Sequence, residues 1–225
     1  EEGAATNCSL ANLRNFYRLG VRMLTLTWNY ENGIGYPNFK LIPGQVPDFK
    51  NPQLEHGLTA FGLEFTDEME GLGMIIDVSH LSDAGFYQVL HNTSKPFVAS
   101  HSNARHACNH TRNLTDDMIR KLSERGGVMG INFCPAFLDD TKEESELLGT
   151  IDTIVSHIKH IQSVGGYECI GLGSDFDGIP THAEIPDASY MPLLAEHLAK
   201  SGIKHHEIEA IFSKNVMRLY KDVLK

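Results

Sequence analysis

Cysteine is scarce in this sequence, and none of it is paired by spacing. Cys8, Cys108, Cys134 and Cys169 are scattered with no C-x-x-C, which argues against a disulfide scaffold and suits a reducing compartment, so a cytoplasmic location is expected. Long apolar runs are missing too. None approaches the roughly 20 residues needed to cross a bilayer, and no signal-like segment opens the chain, so no membrane segment is expected. Basic residues are outnumbered: 19 Lys and Arg against 29 Asp and Glu give a formal charge of −10. With no Lys/Arg-dense stretch to neutralise phosphates, no nucleic-acid partner is expected. No G-x-G-x-x-G follows any apolar run, which removes the main reason to expect a dinucleotide-binding sheet.

What is present is enough material for a sizeable core: 225 residues, 41% hydrophobic, read as a single domain spanning 1–225. One cadence recurs: amphipathic helix, glycine, apolar strand, polar loop. "SLANLRNFYRL" carries Leu10, Leu13, Phe16 and Tyr17 at helical spacing behind a Ser9 cap, and "VRMLTLTW" follows as a strand. A helix near 59–70 feeds "MIIDVSH", a helix over 82–92 feeds "PFVASH", and Thr115 caps a helix that leads to "VMGINFC". The stripe Ile151, Ile154, Val155, Ile158 and Ile161 marks a further helix before "CIGLGSD", and helices over about 190–201 and 205–223 finish the chain. Such alternation, with strands apolar on both faces, predicts a parallel sheet covered by helices, either doubly wound or a (β/α) barrel.

Polar residues at the strand ends favour the barrel, because there the chemistry gathers at the carboxyl ends of several strands. Trp28 and Asn29 end one strand, His80 the next and His101 the next; Asn132 lies in the following one and Asp175 ends the last. The long loop 30–58, rich in Gly, Pro and Asn, becomes a wall of the site. Neighbouring strands sit about 4.8 Å apart, so His80 and His101, at the ends of consecutive strands, can reach one metal ion. Asp175 in "GLGSDFDG" is placed as a general base, whereas Asp177 reads as a turn residue before Gly178. His106 and His110 read as solvated loop histidines, and His157, His160, His205 and His206 as the exposed histidines of helices.

Taken together, "EEGAATNCSLANLRNFYRLGVRMLTLTWN", "LGMIIDVSH", "PFVASHSNARHACNHTRNLTDD", "GVMGINFCPAFL" and "GLGSDFDGI" resemble successive segments of the membrane (renal) dipeptidase family, over essentially the whole chain. The resemblance implies a metallo-dependent hydrolase of the (β/α)8 TIM-barrel type, of which this chain supplies about the last five strands. It implies two zinc ions and hydrolysis of dipeptides, often with a D-residue at the C-terminal position, by a hydroxide bridging the metals. Carried over by position, Glu1 resembles the carboxylate that bridges both metals, and His80 and His101 the ligands of the second. Arg112 resembles the arginine holding the substrate carboxylate, and Asp175 the catalytic acid/base. Trp28 and Asn132 join Arg112 as substrate-binding candidates. No His-x-Asp pair, which in the family completes the first metal, occurs in the chain, and Trp28 stands where mammalian members carry a histidine. The expected partner is a small dipeptide, with a homodimer allowed. The alternatives are another metal-dependent hydrolase or decarboxylase on the same barrel, and a non-catalytic fragment or binding subunit with an incomplete metal site.

Overall fold

A computed structural model describes residues 1–39, 44–45, 47–141, 147, 149–180, 182 and 184–225; residues 40–43 and 46 of the predicted loop wall lie outside the described part. The chain divides into two compact units, Glu1–Ala99 with Leu219–Lys225, and Ser100–Arg218.

In the first unit, α1 (Leu10–Arg18) starts where Ser9 Oγ accepts the Asn12 N–H and gives way to Gly20 at φ 102°. β1 (Met23–Thr25) follows. α2 (Ala60–Leu72) is capped by Thr59 and closed by Gly73 at φ 77°, a left-handed cap that glycine adopts without a Cβ penalty. Then come β2 (Ile75–Asp77), α3 (Asp83–Asn92) behind a Ser82 cap, and β3 (Val98–Ala99). The strands pair in parallel, with Met23 against Ile75, Thr25 against Asp77, and Asp77 against Val98. Leu26, Phe65, Met69, Ile75, Phe86 and Phe97 form the core of this unit. Each such side chain contributes about 1.5–3 kcal/mol relative to exposure.

The second unit holds α4 (Asp116–Glu124), β4 (Val128–Ile131), α5 (Pro135–Leu138), α6 (Ile151–Gly165), β5 (Ile170–Leu172), α7 (Met191–Lys200) and α8 (His205–Glu209). β4 and β5 pair in parallel, with Gly130 against Gly171. The α6 stripe Ile151, Ile154, Val155, Ile158 and Ile161 is buried as its spacing predicts. Two elements depart from the sequence expectation. The helix expected over 205–223 is interrupted by a π-helical turn at Ala210–Lys214, after which α9 (Asn215–Val223) resumes. The wider turn rephases the helix. Asn215 is buried and donates to the carbonyls of Tyr167 and Ile170 at 2.7 and 2.8 Å. The short α5 was not anticipated; Pro135 at its first position is preorganised for a helical start.

No described helix is long and apolar enough to cross a membrane. The five described strands are parallel within their units and alternate with helices, giving the α/β class.

Candidate functional site

The strands are short, and Trp28, His80, His101, Asn132 and Asp175 sit on the loops just beyond their carboxyl ends, whereas Glu1 precedes β1 and Arg112 lies farther along the loop between β3 and α4. In the first unit β2 ends at Asp77, whose carboxylate accepts from Thr25 Oγ1 at 2.6 Å and from the Ser79 N–H at 3.0 Å. This buried carboxylate ties the turn to β1 and delivers His80 with φ 69°, in the left-handed region. Such a conformation costs a non-glycine residue on the order of 1–2 kcal/mol and persists only where the surroundings enforce it. The His80 ring is held at both nitrogens: Nδ1 lies 2.8 Å from Asn29 Oδ1 and Nε2 lies 2.9 Å from Glu1 Oε1.

This arrangement constrains what sits between His80 and Glu1. Nδ1–H donates to Asn29 Oδ1, so a neutral ring presents a lone pair at Nε2. A lone pair facing a carboxylate at 2.9 Å is repulsive unless a cation or a proton lies between them. A histidine oriented through one nitrogen, with a carboxylate at the other, is the donor set of a metal ligand with its outer support in place. The residues therefore fit a divalent metal. The N-terminal segment bearing Glu1 is fixed by Glu2, whose carboxylate accepts from Ala4 N, Trp28 N and Asn32 Nδ2. Trp28 is 38% exposed, with its ring centroid 6.4 Å from that of His80. Beside them lies a cavity of about 660 Å³ lined by Asn29, Tyr30, Tyr36, Phe39, Gln53 and His56. The roles of Asn29 in holding His80 and of Glu2 in holding the N-terminus were not read from the sequence. Only the position of Asn29 at a strand end pointed toward the first.

In the second unit His101, Arg112, Asn132 and Asp175 are connected. The His101 Nδ1 is 2.7 Å from Ser100 Oγ, and its carbonyl accepts from Arg112 Nη2 at 3.1 Å and from Asn132 Nδ2 at 3.4 Å. Arg112 is buried, not a surface arginine, and its guanidinium lies 5.5 Å from the centre of the Phe137 ring. Asn132 is fully buried; its Oδ1 accepts the Cys134 N–H at 2.7 Å and its Nδ2 donates to Asp175 Oδ2 at 3.0 Å. Asp175 has φ 63°, and its carbonyl accepts the Gly178 N–H at 2.9 Å, so the backbone closes this turn.

Two histidines expected at the surface are inside. His110 is buried and its Nδ1 accepts the Arg112 N–H at 3.0 Å. His157 is 1% exposed: Nδ1 accepts the Ala104 N–H at 3.2 Å and Nε2–H donates to the Leu138 carbonyl at 3.0 Å. Burial pushes its pKa from 6.5 down to about 4, so the ring is neutral at pH 7. Its place amid the α6 isoleucine stripe was the sequence signal that could have shown this.

The model of the membrane dipeptidase family, peptidase family M19, matches residues 1–225. The chain belongs to this family. Among its family relatives, an uncharacterized dipeptidase of Schizosaccharomyces pombe is 38% identical over 215 residues, covering 95% of this chain and 49% of the relative. Dipeptidase 3 of Rattus norvegicus is 33% identical over 224 residues, covering 99% of this chain and 44% of the relative. The chain thus spans about half the length of these curated relatives. Among solved structures, the family M19 metallopeptidase dipeptidase AC superposes with a TM-score of 0.87 at 29% identity, over 99% of this chain and 62% of that one. A metallopeptidase of Rhodobacter sphaeroides, bound to a phosphinate mimic of L-Ala-D-Ala, gives 0.82 at 29% identity over 94% and 58%.

Proposed function

We propose that this chain carries metal- and substrate-binding residues of a zinc-dependent dipeptidase that accepts dipeptides, including those with a C-terminal D-residue. Family membership supports the reaction class. The observation that carries the metal assignment is the His80 ring, held by Asn29 at one nitrogen and facing the Glu1 carboxylate at 2.9 Å from the other. The phosphinate dipeptide mimic on the Rhodobacter sphaeroides relative supports the D-residue specificity. The four scattered cysteines, with no C-x-x-C pair, support a reducing, cytoplasmic setting.

Glu1 and His80 would hold zinc, and by the family resemblance His101 joins them, with Ser100 setting its ring. When bound, zinc supplies a water acidic enough to deprotonate near neutral pH and polarises the scissile carbonyl. The chain's own residues do the rest. Arg112 receives the substrate's C-terminal carboxylate, because a planar guanidinium offers two parallel N–H donors and so fixes the end of a short peptide. Asp175 takes a proton from the attacking water at its carboxylate and returns it to the leaving amine. Asn132 positions that carboxylate through the 3.0 Å bond at Oδ2. The cavity beside Asn29 and Tyr36 takes a substrate side chain.

The test is a panel of L,L- and L,D-dipeptides assayed on the protein with and without added zinc. Zinc-dependent release of free amino acids, absent from longer peptides, supports the reading. Stoichiometric zinc binding with no hydrolysis of any dipeptide would return the chain to a binding role.

A further inference from the structure

A second group of metal-ligating side chains lies within the second unit and takes no part in the proposed reaction. His106 comes from the loop between β3 and α4, Asp116 from the first residue of α4, and His160 from α6. Their ligand atoms all lie within 4.8 Å of one another. His160 Nε2 is 2.7 Å from Asp116 Oδ1, and the two imidazoles stack with centroids 4.5 Å apart and planes 5° from parallel. His106 is exposed, and Asp116 and His160 are partly so.

We propose that His106, Asp116 and His160 form a peripheral divalent-cation site suited to Zn2+. Two imidazoles and one carboxylate are borderline and hard donors that together suit zinc, and three protein ligands leave a fourth position for water or an added ligand. Three separate elements supply the donors, so their meeting is set by tertiary packing and not by the spacing of one helix face. The partial exposure of the cluster keeps the cost of stripping water from the carboxylate low and leaves an entry path. On binding, zinc takes the place of the proton shared between His160 and Asp116; that proton leaves for solvent or moves to Nδ1 of the neutral ring. The parallel stack keeps the two in-plane lone pairs in separate planes, so binding requires the exposed His106 ring to swing out of the stack until both nitrogens face the ion at about 2.0–2.1 Å.

The consequence is local cross-linking. His106 sits on the segment that also carries Arg112, held by Arg105 N–H to the Leu114 carbonyl and by Asn113 Nδ2 to the Cys108 carbonyl. An ion shared with Asp116 and His160 ties that segment to the first turn of α4 and to the middle of α6.

The experiment titrates Zn2+ alone into the metal-stripped full chain and counts bound equivalents by equilibrium dialysis. The comparison is between the unsubstituted protein, His106→Ala/His160→Ala and His80→Ala. The double variant is expected to bind one equivalent fewer than the unsubstituted protein, and His80→Ala is expected to retain that equivalent. Imidazole resonances of His106 and His160, followed by NMR in the unsubstituted protein, are expected to shift together as that equivalent binds, a readout that does not depend on the variants folding. Equal stoichiometry in the double variant and the unsubstituted protein, or resonances that stay in place at saturation, would reduce the cluster to a hydrogen-bonded surface group and overturn the proposal.

Discussion

His80 and Asp175 are both held in the left-handed region, at φ 69° and 63°, and both stand at strand-end positions to which chemistry is assigned. Histidine and aspartate tolerate that region better than branched residues, and asparagine tolerates it as well as aspartate. Asp175→Asn is therefore expected to fold, to keep its bond from Asn132 and to retain bound zinc, while turnover falls on the order of 10²-fold or more through loss of the proton acceptor. Steady-state kinetics with metal analysis checks this; undiminished kcat would move the proton shuttle elsewhere. For Arg112→Lys the expected change lies in KM, because the charge survives and the planar fork does not. Metal content should stay the same, and unchanged KM for every carboxylate-bearing substrate would remove Arg112 from the binding role. His80 and His101 were legible as candidates because a polar residue ending an apolar run is conspicuous. Asn29 was visible only as a strand-end residue, since nothing in its neighbourhood says that its amide meets a ring 51 residues away.

Among the elements, β4 and β5 show how glycine sets the approach of the backbone that leads to His101. A Cβ on Gly130 would lie 2.0 Å from the Ser100 carbonyl oxygen, and one on Gly173 would lie 1.9 Å from it. The Gly130 carbonyl in turn accepts the Ser102 N–H at 2.8 Å. Gly130→Ala should therefore displace the Ser100–Ser102 backbone and destabilise the protein by about 1–3 kcal/mol, the usual range for overpacking. Denaturant melts measure the loss, and a wild-type midpoint would mean that the strand shifts freely. α6 carries a second expectation. With its pKa lowered from 6.5 to about 4, His157 stays neutral in the folded chain while the unfolded chain protonates. Its contribution is complete above about pH 6.5 and is lost as the pH falls toward 4, amounting to roughly 3 kcal/mol in all. A variant with an uncharged residue such as His157→Gln should lose that acid dependence, read from melts at pH 7 and pH 4.5. An identical pH slope in the variant would show that His157 does not carry it.

At the scale of the whole molecule, stability is expected to be linked to metal. One zinc ion at a free concentration about 100 times its Kd stabilises the folded chain by about 2.7 kcal/mol. For a chain of this size that corresponds to about 5–10 °C in Tm, at roughly 2–4 °C for each kcal/mol. Addition of a chelator should reverse the shift, and a melting temperature indifferent to both would argue that no residue here binds zinc in the folded state. The formal charge of −10 favours cation binding in general but does not choose the site. The proposed site rests instead on a placed donor set, Glu1 against His80.

The alternation of helix and strand, the parallel sheet class and the rank of His80, His101, Arg112 and Asp175 as candidates all followed from the sequence. Hydrophobic period, caps and glycine stops are local signals that neighbouring residues are sufficient to encode. The family was legible for a related reason: its segments keep order and spacing along the chain. Tertiary structure alone decided how the rings are oriented, that His157 and His110 are inside, and that the C-terminal helix takes a π-helical turn so that Asn215 can reach Tyr167 and Ile170. It also brought His106, Asp116 and His160 together. These outcomes depend on contacts between residues far apart in the chain, and the free energy of such a contact is set by which groups are desolvated together, a quantity that no local pattern carries.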